Sequence, residues 1–232
     1  MIYRYETHLH TFPVSKCGHA TVRESLEYYK SAGYDGVFVT NHFVDGNINY
    51  DRHAPYEELI AFYLTDYYEA EKIGKEIGLK VFFGVESTYS GTDFLIYGLT
   101  PEWFIAHPEI HEMRKQKPEQ LAYFREAGAL VIHAHPFREA DYIPYIRLMP
   151  RSVDGVEIIN ANRSEFENEM AKHYAESYGL LVTAGTDNHR GPNQTKFAGM
   201  QSDTPIEDVA DFIRRVRDGS MELFYEEREI SE

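Results

Sequence analysis

Short apolar runs that end on a metal-ligating residue recur along this chain, and the recurrence limits what it can fold into. Gly36-Val37-Phe38-Val39-Thr40 delivers Asn41-His42, and Lys80-Val81-Phe82-Phe83-Gly84-Val85 ends on Glu86. Ala129-Leu130-Val131-Ile132 ends in His133-Ala134-His135, and Leu180-Leu181-Val182-Thr183-Ala184 leads to Gly185-Thr186-Asp187-Asn188-His189. Runs this short and apolar read as buried strands, and residues 94–99 and 155–159 read the same way. Helical signals lie between them. Thr21-Val22-Arg23-Glu24 has the spacing of a capping box, ahead of an apolar stripe at Val22, Leu26 and Tyr29 and a stop at Gly33. Helices are also expected over 56–77 (ended by Gly78), 102–114 (broken at Pro108), 118–127 and 165–178 (ended by Gly179). A last one is expected to start at Thr204-Pro205-Ile206-Glu207, with Pro205 in its first turn. Residues 12–20 and 44–55 read as loops. Strands alternating with helices predict one α/β domain over 1–232 with a mainly parallel sheet. In barrels of that kind the active site lies at the C-terminal strand ends.

The N-terminal stretch carries the densest chemistry. Thr7-His8-Leu9-His10-Thr11 follows a strand-like run. In extended backbone, positions i and i+2 share a face, so His8 and His10 present two imidazoles to one place. Asp187 and His189 repeat that spacing. With His42, Glu86 and His135 the strand ends supply histidine and carboxylate without thiolate, a set suited to Zn²⁺, Mn²⁺ or Fe²⁺. They exceed the needs of one tetrahedral ion, so a cluster of two or three is expected. His133, two residues before His135, either shares that face or belongs to the core. His107 and His111 read as surface residues, and His53 sits in the loop after His42.

Charge narrows the partners. Lys+Arg total 23 against Asp+Glu 38, a formal net charge of −15. Such a chain is a poor non-specific binder of nucleic acid or anionic membrane. A pocket made positive by divalent ions is compatible with it, so a small phosphorylated substrate fits. Cys17 is the single cysteine, which rules out an internal disulfide. Polar residues interrupt the first apolar run, and no stretch reaches membrane-spanning length. A cytoplasmic location is the expectation.

Taken together, His8-Leu9-His10-Thr11, Thr40-Asn41-His42, Gly84-Val85-Glu86, Ala134-His135-Pro136 and Gly185-Thr186-Asp187-Asn188-His189 resemble, in order, the successive motifs of the PHP (polymerase and histidinol phosphatase) family. The resemblance implies a distorted (β/α)7 barrel and a phosphoesterase with two or three divalent metals. It implies that His8, His10, His42, Glu86, His135, Asp187 and His189 are ligands, with Asp187 or His135 assisting proton transfer. Its substrate would be a small phosphomonoester or nucleotide, attacked by metal-activated hydroxide. The sequence departs from the family at Ser15-Lys16-Cys17-Gly18-His19, where many members have Ser-Asp-Gly; Cys17 or His19 would stand in as a ligand, or Cys17 is a packing residue. Asn41 replaces a frequent Asp. Where many members have a histidine after the Glu motif, this chain offers only Asp93. Arg138, Arg163 and Arg190 follow strand-end motifs and are candidates to bind phosphate. The rival readings are an amide-cleaving metallohydrolase, an exonuclease and a non-catalytic regulatory module of the same fold.

Overall fold

The computed structural model describes residues 1–228. Among the described residues nine strands form one sheet. They are β1 (Tyr3–Leu9), β2 (Gly36–Val39), β3 (Lys80–Tyr89), β4 (Thr92–Tyr97), β5 (Leu130–Ala134), β6 (Gly155–Asn160), β7 (Leu181–Gly185), β8 (Lys196–Ser202) and β9 (Glu222–Glu227). Their order is β7-β6-β5-β4-β3-β2-β1-β8-β9. The sheet curls until its β7 end returns to β1. There Leu9 bridges Asn188, the His10 N–H donates to the Asn188 carbonyl (3.2 Å), and the Asp187 N–H donates to the His8 carbonyl (2.9 Å). The result is a nearly closed barrel with helices outside it.

Two features differ from a regular β-α repeat. β3 turns directly into β4 through Ser90 and Gly91, both at positive φ, with no helix between the strands. β4 is therefore antiparallel to both β3 and β5, and β8 is antiparallel to β1 and β9. Parallel pairing is confined to β1–β2, β2–β3, β5–β6 and β6–β7. Among the described residues, parallel and antiparallel pairings are thus equal in number, where the sequence predicted a mainly parallel sheet.

Local signals place most helices. The capping box at Thr21 opens α1 (Val22–Ser31), and Gly78 in a left-handed conformation closes α2 (Tyr56–Ile77). Pro108 separates α3 (Pro101–Ala106) from α4 (Ile110–Met113). α5 spans Lys117–Glu126, and a second capping box at Ser164 opens α6 (Glu165–Tyr178). The helix expected from Thr204 starts later, as α7 (Val209–Asp218) with Asp208 as its N-cap. Ile206 is fully buried and its N–H is taken by the Tyr5 hydroxyl (2.8 Å), which holds 204–208 out of the helix.

Side-chain alternation sorts the core. Leu95, Tyr97, Leu130 and Ile132 pack inside the ring with Tyr5 and Phe38, while Phe94, Ile96 and Val131 pack outward with α2, α3 and α5. α7 lays Phe212 against Phe38 (4.5 Å between centroids) and Tyr97 (5.5 Å), beside the end of β4 and the start of β5. Burying Phe212, Ile213 and Val216 there stabilises the closed end of the ring by about 1.5–3 kcal/mol per side chain. The opposite end is left for polar groups. Among the described residues, no helix is long and apolar enough to cross a membrane.

Candidate metal centre

At that open end Glu86 stands among four imidazoles. Its Oε1 lies 3.2 Å from His8 Nε2 and 3.4 Å from His135 Nε2. Its Oε2 lies 3.4 Å from His10 Nε2 and 2.5 Å from His42 Nδ1. Asp187 spans the same group from the other side. Its Oδ1 is 3.5 Å from His8 Nε2, 3.3 Å from His10 Nε2 and 3.3 Å from His189 Nδ1, and its Oδ2 is 3.7 Å from His135 Nε2. The seven strand-end residues singled out from the sequence thus converge. All are buried except His189, whose partly exposed ring marks the way in.

Hydrogen bonding aims the ring nitrogens. His8 Nδ1 lies 2.9 Å from Glu157 Oε1, and the other Glu157 oxygen accepts from the His135 N–H (3.1 Å) and from Asn160 Nδ2 (2.9 Å). An ionised carboxylate only accepts, so His8 carries its proton on Nδ1 and turns Nε2 inward. His10 Nδ1 meets the Ser15 hydroxyl at 3.1 Å, which leaves His10 Nε2 facing His8 Nε2 at 3.1 Å. Two ring nitrogens turned on each other at that distance share either a proton or a cation. Both Glu86 oxygens, Asp187 Oδ1, Asp93 Oδ2 and His42 Nδ1 are buried without a hydrogen bond. A buried acceptor left bare is expensive. This donor set fits divalent ions, and its atoms fall into four overlapping groups: His10–His42–His189, His8–His10–Asp187, His8–His135–Glu157 and Glu86–Asp93–His135.

The charges are mutually compensated. Burial pushes Glu86 up, but His42 and His10 outweigh it and hold the carboxyl well below the usual range. Asp187 is held low against burial by His8 and His189. Burial also opposes the charged form of His8, yet Glu157 and Asp187 raise it well above an ordinary histidine, while burial beside His189 and His42 drives His10 well below. Directly behind the site, burial raises Glu6 to about 7, although it accepts from the Thr186 N–H (2.9 Å) and the His8 N–H (2.8 Å).

Backbone irregularity aims the ligands. β1 shifts register between Glu6 and Leu9, so that Tyr5 and His8, three residues apart, both face inward. His135 (φ 28°) and Asp187 (φ 57°) adopt left-handed conformations that cost a non-glycine residue energy. Gly185 admits no side chain, because a Cβ would lie 2.6 Å from His8 Cβ and 2.7 Å from Glu157 Oε1.

The remaining candidates separate. Cys17 is half-buried beside His189 and His42; burial opposes ionisation, but these imidazoles lower its thiol to about 6. His19 is exposed and joins none of the ligand groups; only its backbone N–H meets the site, at the His189 carbonyl (2.8 Å). Asp93 reaches the cluster with Oδ2 4.0 Å from His135 Nε2, and Arg138 Nη2 lies 3.0 Å from that oxygen. Arg190 is exposed, with its N–H on Asn188 Oδ1 (2.7 Å). Arg163 lies elsewhere, lining a groove of about 800 Å³ between α6 and β9 with Ile158, Leu223 and Tyr225. His133 faces outward, stacked on Phe94 (5.0 Å). The positive φ at His135 breaks the alternation that would have put both rings on one face. Sequence reasoning missed Glu157 because it lies within a strand; its signal is a carboxylate inside the apolar run Val156-Glu157-Ile158-Ile159. Ser15 stands in the 15–19 stretch compared with the family's Ser-Asp-Gly, but its role was missed, because its partners His10 Nδ1 and Asn41 Oδ1 meet it only in the fold.

The 44–55 loop, which starts just after His42, is anchored from below. Asp45 accepts from Ser87 Oγ (2.7 Å) and from fully buried Lys117 (2.7 Å). Asn47 and Asn49 pair with the 14–16 backbone, so this loop buttresses the one that carries Cys17.

No protein-family model matches the chain, and no curated protein sequence matches it. Solved structures do. A protein of Bifidobacterium adolescentis, provisionally named a metal-dependent phosphoesterase, superposes with a TM-score of 0.56 at 17% identity, over 92% of this chain and 95% of its own. A two-domain protein of Bacteroides vulgatus, containing a predicted PHP-like metal-dependent phosphoesterase, gives 0.64 at 10% identity, over 97% of this chain and 65% of its own. The chain shares the fold of these two proteins. It is also similar to an amidohydrolase of Chromobacterium violaceum with bound sulfate and no metal, with a TM-score of 0.54 at 13% identity over 94% of this chain and 97% of its own.

Proposed function

We propose that the chain is a metal-dependent hydrolase that cleaves a small phosphomonoester or nucleotide. The observation that carries this reading is the meeting of Glu86 and Asp187 with five imidazoles, their buried acceptor atoms left without hydrogen bonds. In this reading His8, His10, His42, Glu86, His135, Asp187 and His189 hold two or three ions of Zn²⁺, Mn²⁺ or Fe²⁺, and Cys17 adds a thiolate from the rim. Such ions supply a water activated at neutral pH and a counter-charge for phosphate oxygens.

The residues themselves bind and orient. Arg138, beside Asp93 and near His135, is the arginine placed to take a phosphate oxygen. Arg163 is left out of this reading, because it lines the α6–β9 groove. His135 and Asp187 are the groups assigned to move a proton to the leaving oxygen, since both edge the cluster on left-handed backbone that fixes their direction.

The similarity to an amidohydrolase supports a second reading, cleavage of an amide. A carbamate-bridging lysine is missing from the cluster. Lys117 is the fully buried lysine among the described residues, and its amine is spent on Asp45, Ser87 and Gln120. That observation favours the phosphoester. The test is elemental analysis of purified protein, followed by a panel of phosphomonoesters and amides with each metal. At least two ions per chain and release of phosphate are expected. One ion or none after metal is supplied, or amide cleavage alone, overturns the reading.

A further inference from the structure

Resting on that metal-site reading, we infer that Asp66, a carboxylate on α2 outside the ring of strands, is a positioning residue of the metal centre. It acts through Asn41 and Ser15 to fix the tautomer of His10. Asp66 is 1% exposed and has no ion-pair partner among the described residues. Its Oδ2 accepts from the Thr11 hydroxyl (2.7 Å), Asn41 Nδ2 (3.1 Å) and the Val14 N–H (3.2 Å). A buried carboxylate without a cation is costly, and three donors offset that cost only in part.

The direction of each hydrogen bond follows from counting donors. Asn41 Nδ2 faces Asp66, because the opposite orientation would set oxygen against oxygen. It would also set an N–H₂ group against the Thr11 N–H, which donates to Asn41 Oδ1 at 2.7 Å. Asn41 Oδ1 therefore accepts from Ser15 Oγ (2.8 Å), which spends the one hydroxyl proton of Ser15. The His42 N–H already donates to Ser15 Oγ (3.1 Å). Toward His10 Nδ1, at 3.1 Å, Ser15 Oγ has only a lone pair left to offer. His10 must carry its proton on Nδ1, and Nε2 is left bare as the ligand atom facing Glu86 and Asp187. Asn41 is required as an amide at this point. A carboxylate in its place would stand about 3 Å from Asp66 and could not donate to it.

The experiment uses full-length protein carrying ¹⁵N-labelled histidine, with Zn²⁺ as the probe. Wild type should show His10 protonated on Nδ1 in both metal-free and zinc-loaded protein. Asp66→Leu removes the acceptor at similar size, and Ser15→Ala cuts the chain at its inner end. Each should weaken Zn²⁺ binding by about tenfold or more and speed exchange of the His10 Nδ1 proton. Asn41→Asp should weaken binding further, and adding Asp66→Asn to it should restore part of the loss, a pattern that a general loss of packing would not produce. His10 protonated on Nε2 in wild type overturns the inference, and so does zinc affinity within twofold of wild type in folded Asp66→Leu. Loss in Ser15→Ala alone ends the chain at Asn41 and removes Asp66 from it. Wild type that binds no Zn²⁺ overturns the metal reading, and the metal-free tautomer still decides the role of Asp66.

Discussion

Two histidines on the same edge of the barrel, His133 and His135, are both buried and are treated in opposite ways. His135 turns into the open end, where its Nε2 lies within 3.4 Å of Glu86 and 3.7 Å of Asp187. His133 lies between Phe94 and Tyr174 on the outer wall, and neither of its ring nitrogens has a hydrogen-bond partner. At the open end every imidazole is met by charge, and His8 and His10 also have an acceptor behind them. At the wall an imidazole serves as a flat apolar ring, and its polarity is uncompensated. Burial alone therefore says nothing about function; the arrangement of acceptors around the ring does.

The largest effect should come from breaking the charged side of this contrast. Glu86→Gln keeps the shape but removes the charge shared by four imidazoles. Phosphoester hydrolysis should fall by at least about a hundredfold and the bound-metal count should drop; near-normal activity under limiting metal would contradict the role given to Glu86. His10→Ala and Asp187→Ala should behave alike, with circular dichroism unchanged.

The apolar side predicts the opposite sign. His133→Phe removes two orphaned nitrogens and should stabilise the fold by about 1–2 kcal/mol at pH 7. Burial and the neighbouring His135 lower the folded pKa of His133 to about 3, against about 6.5 in an unfolded chain. Between those values the unfolded state holds the extra proton, so the stability due to this site falls as pH drops through the window and is recovered above it. The advantage of His133→Phe in urea midpoint should therefore be larger at pH 5 than at pH 7. An equal or smaller advantage at pH 5 would refute the assignment.

A smaller change should come from Arg138→Gln. Its guanidinium sits 3.0 Å from Asp93 Oδ2, beside the Glu86–Asp93–His135 group. Removing that positive charge should tighten the most weakly held ion by about tenfold while raising KM for a phosphomonoester, measured by metal titration and steady-state kinetics. The smallest effect should be that of Cys17→Ser. Activity under reducing conditions should stay within about threefold, while the preference for Zn²⁺ over Mn²⁺ declines, because a soft thiolate favours zinc. An unchanged metal preference would leave Cys17 as a packing residue.

What the sequence discloses of all this follows from range. The bounds of α2 and α6 read directly, because caps and glycine stops act within a few residues. The start of α7 does not, because the hydroxyl that holds Ile206 belongs to Tyr5, 201 residues away. β8 and β9 escape notice because Lys196–Ser202 and Glu222–Glu227 pair antiparallel at the sheet margin and show no continuous apolar run. The seven strand-end residues are legible from their repeated placement after apolar runs. Glu157, Ser15 and Asp66 are not, since their meaning lies in which ring nitrogen or amide they meet across the fold.

The β3–β4 hairpin carries a consequence of its own. Because β4 enters the open end by its first residues, Asp93 reaches the cluster from a strand start, and the Ser90–Gly91 turn, with no helix attached to it, is held by Arg138 on the Gly91 carbonyl (3.3 Å) and Arg147 on the Ser90 carbonyl (3.4 Å). Residues added to that turn would shift neither the pairing of β3 with β4 nor any α-helix behind them. An insertion there would instead move Arg138 and Arg147, whose guanidinium groups are held by the turn carbonyls beside His135, so that the hairpin tip sets the charge around the site without touching the ligand strands.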